Sequence, residues 1–220
     1  MDTLTWTIFD VLGTIAFAVS GAMVGMEKRM DIFGIIVLAL LTAVGGGMIR
    51  DVLAGNTPPL ALRDVTDFLL SIVVAVLVTY LYSVLPLSRK SRRLFARAYN
   101  VCDTIGLASF TITGMLIGLA APAGHPLVLP VLLGVITAVG GGVLRDLMAG
   151  RMPAVLYKDI YATASLLGAI PACLAAPHLS LTAASWLCFF LVTFLRFIAL
   201  HFGWHLIHPR RHYRRHRHNM

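Results

Sequence analysis

The chain has 220 residues, 58% hydrophobic and 13% charged, with a formal net charge of +8. So few polar residues could not cover a soluble fold, which excludes a water-soluble globular protein and points to the membrane. The positive charge gathers at 89–97 and at the C-terminus rather than along one face, a pattern that suits anionic lipid headgroups better than nucleic acid.

Seven apolar stretches qualify as helices able to cross a hydrocarbon core of about 30 Å. In chain order they are 6–25, 32–53, 68–87, 98–120, 127–149, 160–176 and 182–202. The first lacks a basic leader and a small-residue cleavage site, so it is expected to stay as a spanning helix. Cys102, Cys173 and Cys188 sit inside apolar runs without CxxC spacing, which predicts packing residues rather than disulfides or a zinc site. Lys and Arg collect in alternate connections: Lys28 and Arg29, then Arg89 to Arg97, then Arg151 and Lys158, then the tail. Positive residues mark the cytoplasmic side, so the N-terminus is expected outside and the C-terminus inside, in the cell (inner) membrane.

An internal repeat is the strongest signal. GGGMIRDVLAGNTP from Gly45 aligns without a gap to GGGVLRDLMAGRMP from Gly140, preceded by Thr42-Ala43-Val44 and Thr137-Ala138-Val139 and followed by Arg63-Asp64-Val65 and Lys158-Asp159-Ile160. The first span also matches the fourth: Asp10, Gly13, Phe17, Gly21 and Gly25 face Asp103, Gly106, Phe110, Gly114 and Gly118. Each repeat holds three spans, an odd number, so the second must be inverted relative to the first. The expected architecture is an all-α integral membrane protein: repeat 1 at 1–88, repeat 2 at 98–177, a seventh helix at 182–203 and a basic cytoplasmic tail at 204–220. Sites for permeant species in such folds lie near the axis relating the halves, where helices are interrupted.

Three consecutive glycines weaken a helix by about 1 kcal/mol each relative to Ala and leave carbonyls uncovered. Gly45, Gly46 and Gly47, with Gly140, Gly141 and Gly142, are therefore expected to kink or closely approach a neighbour and to line a pathway, although small residues also serve simple tight crossing. Thr42 and Thr137, beside the triplets, could lend hydroxyl oxygens to a cation; Ser20 and Thr113 more commonly bond their own backbone. Arg50 and Asp51, with Arg145 and Asp146, are ionisable groups inside spans and need partners. Depth along the helices predicts Asp10 with Arg50 and Asp103 with Arg145, as gating or structural ion pairs. The Gly21/Gly25 and Gly114/Gly118 spacing reads as packing. His201, His205 and His208 share a helical face without a carboxylate or Cys beside them, so a metal site is not indicated. No nucleophile motif or phosphate-binding loop appears, which argues against an enzyme.

The doubled GGG-hh-RD (h, an apolar residue), with Asp-xx-Gly opening the first and fourth spans, resembles the prokaryotic branch of the trimeric intracellular cation (TRIC) channel family over about residues 5–203. The resemblance implies a homotrimer without cofactor, each protomer enclosing its own pore for potassium and, to a lesser degree, sodium, bounded by the second and fifth spans. Animal members carry Lys-Glu-Val after the corresponding glycines, where this chain has Met48-Ile49-Arg50, so their gating and lipid binding do not transfer. Prokaryotic members have also been described as glycine transporters, which is the alternative function.

Overall fold

The computed structural model describes residues 3–84, 89–157 and 160–203; Lys158, Asp159 and the basic tail with its His205 and His208 lie outside them. The described chain is all-helical: α1 (Thr3–Glu27), α2 (Ile32–Leu53), α3 (Leu60–Arg63), α4 (Thr66–Val84), α5 (Arg89–Ala120), α6 (Val128–Met148), α7 (Ala154–Tyr157), α8 (Ala162–Ala175) and α9 (Leu181–Phe202). Helices are what lipid demands, because each satisfies its backbone polar groups within itself.

Six of these, α1, α2, α4, α5, α6 and α9, are long and apolar enough to cross a membrane. The sixth expected span is the exception. Its helix, α8, has only 14 residues, about 21 Å of rise against a core of about 30 Å. It starts late because the Ile160 carbonyl accepts from Arg196 Nη1 at 3.0 Å. It stops at Ala175, two residues before Pro177, which has no amide to continue the ladder. A second difference is the long connection expected at 86–97: α5 already begins at Arg89, so most of that basic segment is helical.

α1 and α5 lie side by side at the centre. α1 also packs on α2 and α4, α5 on α6, α8 and α9, and α2 crosses α6 between them. Phe17 and Phe110 meet edge to face at 5.1 Å on the α1–α5 seam. Each ring lies over a glycine of the opposite helix, Phe17 on Gly106 and Phe110 on Gly13, where any Cβ would collide with it. The two aromatics and two glycines therefore set how closely the central helices approach.

Candidate functional site

The repeated motif can be resolved residue by residue. α2 and α6 are helical throughout their glycine triplets, and of the two outcomes expected there, a kink or a close approach, the neighbouring atoms show the close approach. A Cβ on Gly46 would strike the Thr137 carbonyl oxygen, and one on Gly141 the Thr42 carbonyl oxygen. Gly140 stands over Gly46, with 3.1 Å from its Cβ position to the Gly46 Cα. Glycine is required here because backbone meets backbone. The outer members differ: at Gly45 the nearest group is the end of the Leu144 side chain, and at Gly47 the Arg50 guanidinium at 3.4 Å.

Thr42 and Thr137 are fully buried at this crossing and donate to their own helices, Thr42 Oγ1 to Leu38 O at 2.6 Å and Thr137 Oγ1 to Leu133 O at 2.5 Å. They sit against Gly21 and Gly114 respectively. Ser20 and Thr113 likewise bond the Phe17 and Phe110 carbonyls.

The Arg-Asp pairs have matching geometry. Arg50 Nε lies 2.8 Å from Asp51 Oδ1, and Arg145 Nε 2.9 Å from Asp146 Oδ1. The second oxygen of each Asp accepts a backbone amide at the start of the next short helix, Leu60 N on Asp51 and Ala154 N on Asp146, both at 2.8 Å. Between them, Gly55 (φ 76°) and Gly150 (φ 62°) adopt the left-handed conformation that closes the helix end. The Asn56 amide reaches the Asp51 carbonyl at 2.8 Å, and that of Arg151 reaches the Asp146 carbonyl at 3.0 Å. The RD-hh-AG half of the motif is thus a helix terminator that also anchors the following turn.

The surroundings of these pairs then diverge into two clusters. In the first, Asp10 does not form the expected ion pair with Arg50: among the described residues the salt-bridge partner of Arg50 is Asp51. Arg50 stays within electrostatic reach, but Asp10 hydrogen-bonds Asp67 of α4, which also bonds Thr14. The reason is that Asp51, adjacent in sequence, takes the Arg50 Nε, while α4 brings a carboxyl to Asp10. In the second cluster Asp103 does meet Arg145, Oδ1 to Nη1 at 2.7 Å, and Nη1 also donates to Ser20 Oγ at 2.9 Å. Tyr161 Oη donates to Asp103 Oδ1 at 3.3 Å, and Arg196 from α9 places Nη2 3.6 Å from Asp103 Oδ2. Arg196 stacks on the Tyr161 ring at 4.7 Å and Arg145 lies 5.3 Å over Tyr99. Arg151 holds Asp146 from the rim at 2.8 Å. Asp10 and Ser20 are ten residues apart on α1, so the clusters are separated by about 15 Å of helix.

Asp67, Tyr161 and Arg196 were not singled out from the sequence. A signal existed for Arg196, the one Lys or Arg within the 181–202 apolar run, since an intramembrane charge marks a functional position by default. Among the described residues no group of three or more His, Cys, Asp or Glu could hold a metal ion. An apolar hollow of about 680 Å³ lined by Leu116, Leu119, Leu127, Cys173, Leu174 and Leu181 opens at the far ends of α5 and α8. It lacks convergent polar groups and is not a candidate ion site.

A family model described as "Glycine transporter" matches the chain twice, over residues 7–83 and 100–177. A UPF0126 membrane protein of Deinococcus radiodurans is 42% identical over 200 residues, covering 90% of this chain and 88% of the relative. The UPF0126 membrane protein YvgT of Bacillus subtilis is 37% identical over 211 residues, covering 96% and 98%. Among solved structures, a prokaryotic TRIC channel in 0.5 M KCl superposes with a TM-score of 0.84 at 30% identity, covering 93% of this chain and all of that one. The TRIC trimeric intracellular cation channel orthologue from Rhodobacter sphaeroides gives 0.82 at 35% identity, covering 92% and 100%. With two copies of the family model, relatives matched end to end and the fold shared with these channels, the chain belongs to the prokaryotic TRIC family of integral membrane proteins, the family whose sequence model is described as glycine transporter.

Proposed function

We propose that this protein is a monovalent cation channel for potassium and, to a lesser degree, sodium, assembled as a homotrimer in which each protomer carries its own pathway beside the α2–α6 crossing. The observation that carries this reading is the superposition on TRIC cation channels over more than nine tenths of the chain. The two copies of the family model, over 7–83 and 100–177, support a repeat; three spans in each make it inverted, 1–88 against 98–177 with α9 added, and the Lys and Arg of the alternate connections favour an N-terminus outside. In this orientation the Asp10, Asp67, Asp51 and Arg50 cluster faces the outer side. The Asp10–Asp67 hydrogen bond holds one proton between two carboxyls, so with Asp51 the cluster carries two negative charges against one guanidinium, which still favours cations at the mouth. The cluster around Asp103, Arg145 and Arg196 lies at the inner side, where Arg145 and Arg196, 0% and 2% exposed, close the path. Gly47 and Gly142 offer the less obstructed flanks of the crossing. The basic N-terminal end of α5 and the tail would hold anionic lipid headgroups.

The test is single-channel recording of the purified protein in planar bilayers under potassium chloride gradients, with glycine uptake measured in the same lipid. Discrete currents reversing near the potassium potential are expected. Silent bilayers with saturable glycine uptake would overturn the channel in favour of the transporter that the family description names.

A further inference from the structure

The apolar hollow of about 680 Å³ lies where α5 and α8 end and α6 and α9 begin. Its floor is Leu116 of α5 and Cys173 of α8, only 4% and 6% exposed. The half-buried Leu119 and Leu127 wall it, and the exposed Leu174 and Leu181 stand at its mouth. The chain leaves this space open for two local reasons. The turn after α8 folds back on its own helix, with the amides of His178 and Leu179 both donating to the Ala175 carbonyl at 2.9 Å, instead of reaching across to α5. The lining positions at the two helix ends, Ala120 and Ala176, carry only methyl groups and cannot close the gap.

The lining restricts what can fill it. Apart from the exposed His178 and the weakly polar Cys173 thiol, every lining side chain is hydrocarbon. Water finds no partners on such walls: an apolar cavity of about 150 Å³ already stays dry and takes up benzene. This one falls within the range of about 300–1,000 Å³ that holds a bound ligand. The mouth then identifies the ligand. Leu174 belongs to the exposed apolar face of α8 that also carries Leu166 and Leu167, and in a bilayer such a face borders hydrocarbon. The hollow therefore opens sideways onto acyl chains.

We propose that this hollow binds one acyl chain of a membrane phospholipid, its end against Leu116 and Cys173 and its glycerol ester near His178. The chain supplies the packing between α5 and α8 that Ala120 and Ala176 leave undone, and the imidazole offers the ester a hydrogen bond at the polar edge. The site is independent of ion conduction. Only the leaflet it draws on, the outer one in the orientation proposed above, rests on that reading.

The test uses a phosphatidylcholine with a photoreactive diazirine on one acyl chain, in nanodiscs holding the full chain. After illumination, mass spectrometry of the digested protein locates the adducts. Exposed Leu77 of α4 and Phe194 of α9 serve as references for ordinary lipid contact. Adducts are expected on the references, on Leu174 and, decisively, on Leu116 and Cys173, which lipid at the outer surface does not reach. Ala176→Trp fills the hollow and should lose the adducts on Leu116 and Cys173 while keeping those on the references. The wild-type pattern stands as a test whether or not that variant folds. Labelled references and Leu174 with a bare floor would show that lipid stays outside, and would overturn the proposal. So would a mouth and floor both bare beside labelled references, which would mean that protein, such as a second copy of this chain, covers the hollow. Reaction of Cys173 with a membrane-impermeant thiol reagent would show that water fills it, with the same consequence. Floor adducts that persist in a folded Ala176→Trp would place the chain elsewhere.

Discussion

Replacing Gly46 by alanine separates a backbone crossing from an open pore lining. The added Cβ meets the Thr137 carbonyl oxygen and lies 3.0 Å from the Gly141 amide nitrogen, both backbone atoms that no rotamer change can move. Overpacking of this kind costs about 1–3 kcal/mol, and rigid neighbours put it near the upper end. Alanine returns about 1 kcal/mol of helix propensity, leaving a net loss of about 2 kcal/mol. Gly47→Ala collects the same propensity gain against only the Arg50 side chain at 3.4 Å, so the two variants should differ by about 3 kcal/mol. For a chain of this size that is about 6–12 °C in midpoint. The assay is size-exclusion chromatography after heating in detergent, with both variants beside the wild type. Equal midpoints would refute the crossing and restore an open glycine lining. The same geometry implies that Gly46→Leu or Gly141→Leu prevents folding rather than blocking flux in a folded protein.

Removing the Arg145 cation leaves Asp103 and Asp146 without their shared partner, so Arg145→Gln should cost about 3–5 kcal/mol, whereas Arg63→Gln at the exposed end of α3 should stay within about 0.5 kcal/mol; thermal midpoints compare the two. Phe17→Ala empties the space over Gly106 and should cost about 3–5 kcal/mol, read in the same way. For orientation, Ala123→Cys and Lys28→Cys in a background without native cysteines should differ in intact cells: an impermeant thiol reagent should label the first and not the second, and the reverse would invert the topology.

Much of the fold was legible because lipid reduces the problem to finding apolar runs. α2 begins and ends where hydropathy places it, and α9 begins one residue before its expected start. The shortness of α8 was hidden, because Ile160 and Tyr161 are apolar enough to extend the run, yet one gives its carbonyl to Arg196 and the other its hydroxyl to Asp103. Depth along a helix was enough to bring Asp103 to Arg145. It failed for Asp10, because depth carries no information about rotation or about which third helix arrives, and α4 arrives with Asp67. In the sequence the glycine triplets favour a kinked pathway over a simple tight crossing; the opposing Thr42 and Thr137 carbonyls, which no residue pattern announces, show the crossing.

The shortness of α8 has a mechanical side. Leu166, Leu167 and Leu174 are 40%, 52% and 58% exposed, so this helix presents an apolar face to its surroundings that ends about 9 Å short of a full hydrocarbon core. Wherever lipid meets that face, the bilayer must pinch inwards, at a cost of a fraction of a kcal/mol for each ångström of mismatch. Thickness then becomes a variable the protein senses: a thicker, more ordered membrane raises the deformation energy along one flank of the bundle, and a thinner one relaxes it. The acyl-chain length of the host membrane would therefore shift stability through α8 before it affected any of the six longer helices.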